Sequence, residues 1–340
     1  MVAEARTRLD LPYADGAAHF SNVAAARELA VTHSEGGLRV HAQLGTIDLS
    51  KAGEASELLL TSEDQATLQA LRDFLTTRLA AAGIVCRWEI TGSREQPHNL
   101  SFGTVERIDR ISPSFTRISV TGPDLWRFAE GRLHFRLLFG PNGAGWPHLD
   151  ASGVTAWPGG VESWHRPVYT TREIHRLGEA GARLVFDVFR HEGGRVTAWI
   201  DGVALGETVA ITGPSGSRVP PAARRVDLVG DETAIPVIAR IIAGLAAGTS
   251  GTARLFVPSE DDVQSLRAPE GFRVMWIPRD GGVLPVHAGL ALPIPQADAF
   301  SFFAGERDDM LAVRARLIEA SAPKNRYHVA AYWSKALAEG

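Results

Sequence analysis

The stretch VDLVGDETAIPVIARIIAGL, residues 226–245, reads as a buried strand, a tight turn and an amphipathic helix. Many enzymes hold a nucleotide phosphate in this layout, on glycines and bare backbone N–H groups. Here the turn carries Asp231 and Glu232 instead. A like charge brought within about 4 Å of them would cost several kcal/mol at low effective dielectric, so phosphates must bind elsewhere. Pro236 lacks an N–H and is harmless only in a first helical turn, which predicts a helix starting near Glu232 or Thr233 with Thr233 as its cap. Acidic side chains at such an end favour the helix dipole by about 0.3–1 kcal/mol each. The turn therefore also makes sense as a stabiliser of its own helix, with no ligand involved.

Outward from that stretch, apolar strands alternate with helices. RVDLVG, TARLFVP, FRVMWIP, AFSFFAG and YHVAAYW are separated by the helix after Thr233 and by another over 307–321. The alternation predicts an α/β domain with a parallel sheet over 225–340. Open sheets of this kind take ligands outside the C-terminal ends of their strands. That rule gathers Gly230 to Thr233, Pro258 to Asp262, Arg279 and Gly305 with Glu306 along one edge.

Residues 99–220 instead hold a succession of alternating β runs, which predicts a small antiparallel Greek-key β-barrel. The Gly/Pro/Trp-rich segment PNGAGWPHLDASGVTAWPGGVESWH, 141–165, is too long for a passive connection and reads as a ligand cover or as disorder. Residues 1–92 predict a third, small α+β domain with a helix over 22–34 and strands at 38–49 and 56–62. Its second helix opens on Ser62 and Gln65 at capping-box spacing, carries Leu68, Leu71, Leu75 and Leu79 on one face, and stops at Gly83. IVCRWEI, 84–90, is the closing strand, and TGSREQPH, 91–98, is the linker.

Composition narrows the function. The chain has 340 residues, a formal charge of −4 and one cysteine, Cys86. This excludes an internal disulfide and cysteine-based metal clusters and suits the cytoplasm. It also gives no general attraction to nucleic acid. The most apolar stretch, IPVIARIIAGLAAG, is too short to span a bilayer and contains Arg240. The histidines form no ligand cluster, and His191 with Glu192 lacks the second histidine of a zinc-protease pair. No metal site is expected.

Two stretches carry chemistry. In RPVYTTR, 166–172, an extended segment presents Tyr169, Thr170 and Arg172, which could stack on a planar ring, bond its edge and neutralise a phosphate. The same residues would equally make an ordinary exposed strand. In HEGGRVTAWI, 191–200, the glycines and Thr197 look like a turn into a short helix, whose free N–H groups can receive a pyrophosphate. A hairpin turn with a plain N-cap fits as well.

The order of these parts resembles the ferredoxin–NADP reductase architecture, and VGDETAIP, 229–236, resembles the signature of the siderophore-interacting protein family. GERDDMLAVRARL and AAYW stand at that family's later positions. The resemblance covers roughly 100–335. It implies an FAD-dependent ferric-siderophore reductase in which the barrel carries the flavin and the α/β domain meets the electron donor, with no catalytic side chain besides the cofactor.

By resemblance, Tyr169, Thr170 and Arg172 contact the flavin, Gly194 and Thr197 lie on the pyrophosphate turn, and His191 and Trp199 belong to that stretch. His134 and Arg136 match a barrel strand near the flavin. Asp231, Glu232 and Thr233 face the flavin or nicotinamide edge, and Gly305, Glu306, Tyr332 and Trp333 complete the cofactor set. Arg166 is displaced, three residues before Tyr169 with Pro167 in the usual place, and the family's terminal Tyr-Trp-Arg run ends here in Ser334 and Lys335.

Arg279, Lys335 and Arg218 are the expected contacts for an anionic ferric siderophore. The acidic VPSEDD, 257–262, suits a ribose hydroxyl and favours NADH over NADPH, with reduced ferredoxin as another donor and partner. A general flavin diaphorase and a non-catalytic siderophore- or partner-binding protein are the competing readings. The leading domain carries no implied chemistry.

Overall fold

The computed structural model describes residues 2–89, 95–218 and 220–335. The expected linker at 91–98 falls partly outside these residues, and the expected closing strand at 84–90 is, over the described 84–89, a single antiparallel bridge between Thr7 and Trp88. Two compact units emerge: one comprises 1–101, 136–167 and 210–215, the other 102–135, 168–209 and 216–340.

In the first unit, strands β1 (Ala3–Leu9), β2 (Ala30–Ser34), β3 (Gly37–Ala42), β4 (Gly45–Ala52) and β5 (Ala55–Ser62) form an antiparallel sheet in the order β1-β5-β4-β3-β2. Helices α1 (Tyr13–Ala26) and α2 (Gln65–Ala81) pack on it. From Ser56 onward β5 alternates, so Leu58 and Leu60 point into the core with Leu68, Leu71, Leu75 and Leu79 of α2.

Three expectations change here. The first helix lies earlier than 22–34, because Ala30 to Ser34 pairs with β3 as a strand. The run at 38–49 is a hairpin, folded back between Ala42 and Gly45. The cap of α2 is Asp64, whose carboxylate accepts from Thr67 N at 2.8 Å, and Ser62 instead donates to the Leu44 carbonyl. Asp64 caps because it immediately precedes the helix with an extended backbone that aims its side chain at the free N–H groups, whereas Ser62, still in β5, lies two residues too early.

Strands β6 (Leu100–Arg110), β7 (Phe115–Gly122), β8 (Arg132–Leu138), β11 (Val168–Thr170), β12 (Glu173–Arg176), β13 (Ala182–Phe189) and β14 (Thr208–Arg218) form a barrel-like sheet. Its order is β11-β8-β14-β6-β7-β13-β12, with β6, β7, β13 and β12 antiparallel. Helix α3 (Arg195–Gly202) follows β13.

The Gly/Pro/Trp segment is ordered. It forms a small hairpin, β9 (His148–Leu149) with β10 (Thr155–Ala156). Within the first unit, that hairpin packs on α2. Thr155 donates its N–H and hydroxyl to Asp73, and the Gly153 carbonyl accepts from Gln69 and Arg72.

In the second unit, β15 (Arg225–Gly230), β16 (Ser250–Val257), β17 (Phe272–Pro278), β18 (Ala299–Glu306) and β19 (Tyr327–Trp333) make a fully parallel sheet, order β17-β16-β15-β18-β19. The chain winds outward from β15 in one direction, then returns to its other side. That leaves a switch point beyond Gly230 and Glu306, where such sheets open a ligand crevice. Both faces are covered, so the strands read as apolar runs rather than as alternations. Val226 and Leu228 face α4 (Ile235–Ala243), while Val229, with Phe256 and Phe303, faces α6 (Arg307–Glu319). A short helix, α5 (Pro285–Leu290), packs on α6. Among the described residues, no helix is long and apolar enough to cross a membrane.

Helix α4 starts two residues later than expected. Its N-cap is Ala234, and Thr233 donates both N–H and hydroxyl to Asp231. Asp231 organises the turn, because its short carboxylate reaches the backbone two residues on, a common Asx geometry.

Candidate functional site

At the switch point of the second unit lies a cavity of about 380 Å³. It is lined by His134 of β8, Val168, Tyr169 and Thr170 of β11, Asp187 and Phe189 of β13, and His191. Glu232, Thr233 and Pro236 ahead of and inside α4, and Ala331, Tyr332 and Trp333 of β19, complete the lining. Tyr169 packs against Phe186 with ring centroids 5.5 Å apart, and burial holds its phenol far above the usual range, so it stays neutral.

Arg172, just past β11, is buried. Its Nη1 stands 3.0 Å from Asp187 Oδ2, yet neither Nη1 nor Nε has an aligned hydrogen-bond acceptor. Asp187 is committed to Arg117, which donates from Nε at 2.7 Å and Nη2 at 3.0 Å. Arg172 is therefore a buried guanidinium with spare donors. The Thr171 hydroxyl beside it also lacks a partner.

His134 is the hub of the other side. Nδ1 lies 3.2 Å from the Thr170 hydroxyl, and Nε2 lies 3.2 Å from the Tyr332 hydroxyl and 3.3 Å from Ser217 Oγ. Burial, then the charges of His328 and Arg240, push its pKa down to about 4, so the imidazole is neutral near pH 7. Gly216 makes this crowding possible. With φ at +75°, it passes so close that a Cβ there would lie 2.4 Å from His134 Cδ2.

The acidic turn is already paired. Asp231 accepts from Trp333 Nε1 at 2.7 Å and from Thr233, and Glu232 accepts two bonds from Arg279, the shorter 2.6 Å. Burial raises both carboxyl pKa values, and these hydrogen bonds oppose it. Gly305 brings β18 against this turn, where a Cβ would sit 2.9 Å from Asp231 Oδ2.

Glu306 caps α6, accepting from Asp308 N, Asp309 N and Lys335 N. Gly194 is the N-cap of α3, and Thr197 Oγ1 accepts from His191 N. Trp199 is on α3, half-buried and outside the lining, as are Arg218 at the end of β14 and the exposed Lys335. Arg136 and Arg166 belong to the first unit, where Arg136 donates to the Arg166 carbonyl and Arg166 lies 4.9 Å over Trp157.

Two residues escaped the sequence reading, and a third, Asp262, has another role than the ligand edge expected of it. Asp187 was legible, as a lone carboxylate in the apolar strand RLVFDVF, because a charge there needs a buried partner. Arg240 looked like a mere blemish in an apolar helix. Its guanidinium donates to the carbonyls of Thr171, Phe128 and Ala129, tying α4 to the turn after β11. Asp262 accepts from Ser112, Ser114 and Ser259 and is buried, so only the exposed Glu260 and Asp261 of the acidic run face solvent.

Comparison with known proteins gives the family. The sequence model of the siderophore-interacting FAD-binding domain matches residues 104–218, and that of the siderophore-interacting protein matches 223–336. The ferric vibriobactin reductase ViuB of Vibrio cholerae is 27% identical over 241 residues, 66% of this chain and 86% of that protein. The NADPH-dependent ferric-chelate reductase of Escherichia coli is 29% identical over 242 residues, 68% of this chain and 91% of its own. The crystal structure of the siderophore-interacting protein SipS from Aeromonas hydrophila superposes with a TM-score of 0.57 at 25% identity, covering 70% of this chain and 92% of that one. A siderophore utilization protein from T. fusca does so at 0.58 and 25%, covering 71% and 95%. With the FAD-binding model over 104–218 and the siderophore-interacting model over 223–336, the chain belongs to the siderophore-interacting protein family.

Proposed function

We propose that this protein is an FAD-dependent reductase that passes electrons from a reduced nicotinamide to Fe(III) held by a siderophore, releasing Fe(II). The observation that carries the reading is a cavity walled by Tyr169, Thr170 and Asp187, the last of these 3.0 Å from Nη1 of the buried Arg172, which is itself outside the lining. An aromatic wall, a hydroxyl and a nearby buried guanidinium whose Nε and Nη1 lack aligned acceptors fit a group with a planar ring and a phosphate. Bound FAD would supply the redox chemistry, accepting two electrons and releasing them singly to iron.

The chain's own residues position that group. Tyr169 offers a neutral apolar wall and Thr170 a hydroxyl already oriented by His134. Arg172 and the first-turn N–H groups of α3 that follow Gly194, up to Thr197, take the phosphates. His191 and Trp199 flank that start. Neutral His134, locked to Tyr332, closes the far side without adding charge. Asp231 and Glu232, satisfied by Thr233, Trp333 and Arg279, repel phosphate and leave the switch point to the ring and the donor. Gly305 shapes the same turn, and Glu306 after it caps α6.

The chain works as three segments, 1–92, a Greek-key barrel over 99–220 and a ferredoxin–NADP reductase type domain over 225–340, acting on cytoplasmic ferric siderophore. Arg279 contacts the anionic chelate by exchanging its bond from Glu232, with Lys335 and Arg218 adding positive charge. Glu260 and Asp261 suit NADH, and ferredoxin is the alternative donor.

The test reduces the FAD-loaded protein with NADH, NADPH or reduced ferredoxin and traps Fe(II) with a ferrous chelator. Ferric siderophore should outpace a quinone, and replacing Arg279, Lys335 and Arg218 together by Gln should raise the siderophore KM several-fold. A faster quinone reaction with an unchanged KM would point to a general diaphorase.

A further inference from the structure

A second cavity, about 570 Å³, lies in the small α+β portion of the first unit and has no part in the flavin reading. It opens between α1 and α2 above β3 and β4, and its walls are the buried Phe20, Val40, Ile47, Leu71, Leu75 and Leu79. The space has a cause in the sequence. Helix α1 buries only Gly16, Phe20 and Ala24, so two of its three inward positions are too small to meet the leucines of α2. Protein interiors pack to the density of organic crystals, and an apolar slot left open at this size is exceptional.

The mouth is built differently from the walls. Val23 is 40% exposed and Phe74 44% exposed, an apolar rim with no cover. The guanidiniums of Arg27 and Arg78 lie 5.7 Å and 5.5 Å from the centre of the same Phe74 ring. Among the described residues, neither arginine has a carboxylate within ion-pair distance. Two cations held on one ring repel each other, and an anion placed between them would relieve that repulsion.

We propose that this cavity binds an amphipathic carboxylate, with its apolar tail in the slot between α1 and α2 and its carboxylate bridging Arg27 and Arg78. The volume falls in the range of small-molecule sites, about 300–1,000 Å³. A carboxylate can accept bonds from both guanidinium forks at once. A wholly apolar ligand would leave the paired arginines without a role. A second copy of the chain or a partner helix would also cover the rim, and the experiment separates these occupants.

Dodecanoate, kept below its micelle concentration, is titrated calorimetrically into the full-length FAD-loaded protein, with dodecyltrimethylammonium as the cation of equal tail. One dodecanoate should bind per chain, at least about tenfold more tightly than the cation. The double variant R27Q/R78Q should weaken dodecanoate about tenfold while leaving the flavin absorbance unchanged, so failure here is distinguishable from failure of the flavin assignment. V23W, placed on the exposed rim, should block the mouth and abolish binding. Absence of saturable dodecanoate binding overturns the proposal, as does an unchanged affinity in R27Q/R78Q. A dimer that dissociates in R27Q/R78Q and takes up no amphiphile overturns it too.

Discussion

A histidine whose pKa falls from 6.5 to about 4 on folding ties the stability of the site to pH. The unfolded chain binds this proton more readily than the folded one. Burying His134 neutral therefore contributes full stability above about pH 6.5, and the contribution is lost as pH falls toward 4. The loss should reach about 3 kcal/mol, read as a falling urea midpoint, and His134→Gln should flatten that slope. Arg172 makes the second prediction at this scale. Arg172→Lys keeps a positive charge but loses the fork, so FAD should bind roughly tenfold more weakly, the value of one charge-assisted hydrogen bond. Equilibrium titration of the apoprotein measures it. Arg172→Met should also cost about 2 kcal/mol of stability, less than a fully broken buried pair, because Arg117 still neutralises Asp187.

Helix α4 bears on the site more than its apolar sequence suggests. Ile235, Val237, Ile238, Ile241 and Ile242 are buried, and their periodicity made the helix legible. Its one cation, Arg240, was not legible as a clamp, because its acceptors are backbone carbonyls of Phe128, Ala129 and Thr171 and carry no sequence signature. Burial lowers its pKa to about 10, still charged at neutral pH. Arg240→Met should cost about 3 kcal/mol in chemical denaturation and weaken FAD binding, since the Thr171 carbonyl would lose its donor beside Arg172. Caps were misread for a similar reason. Ser62 and Thr233 had the right chemistry, but Asp64 stands at the position that reaches Thr67 N and Thr233 is taken up by the Asp231 carboxylate, which only the folded turn reveals.

At the scale of the molecule, the order of strands and helices predicted the antiparallel and parallel sheets, because the switch from period-two runs to strand–helix alternation is written in hydrophobicity. The residues of the cavity were legible only through resemblance. Tyr169 and Thr170 come from a barrel strand, while Glu232 follows one strand of the parallel sheet and Tyr332 and Trp333 end another, and no local pattern announces that they meet. The Gly/Pro/Trp segment shows the converse, since its fixing point is Asp73 on a helix far earlier in the chain. The central claim is that Tyr169, Thr170 and Arg172 hold a flavin at the switch point. The most direct measurement is a crystal structure of the FAD-soaked protein. It should show isoalloxazine density against Tyr169, with a phosphate oxygen accepting from the spare donors of Arg172. A cavity closed by the chain's own side chains, with Arg172 fully satisfied by protein groups, would contradict the account.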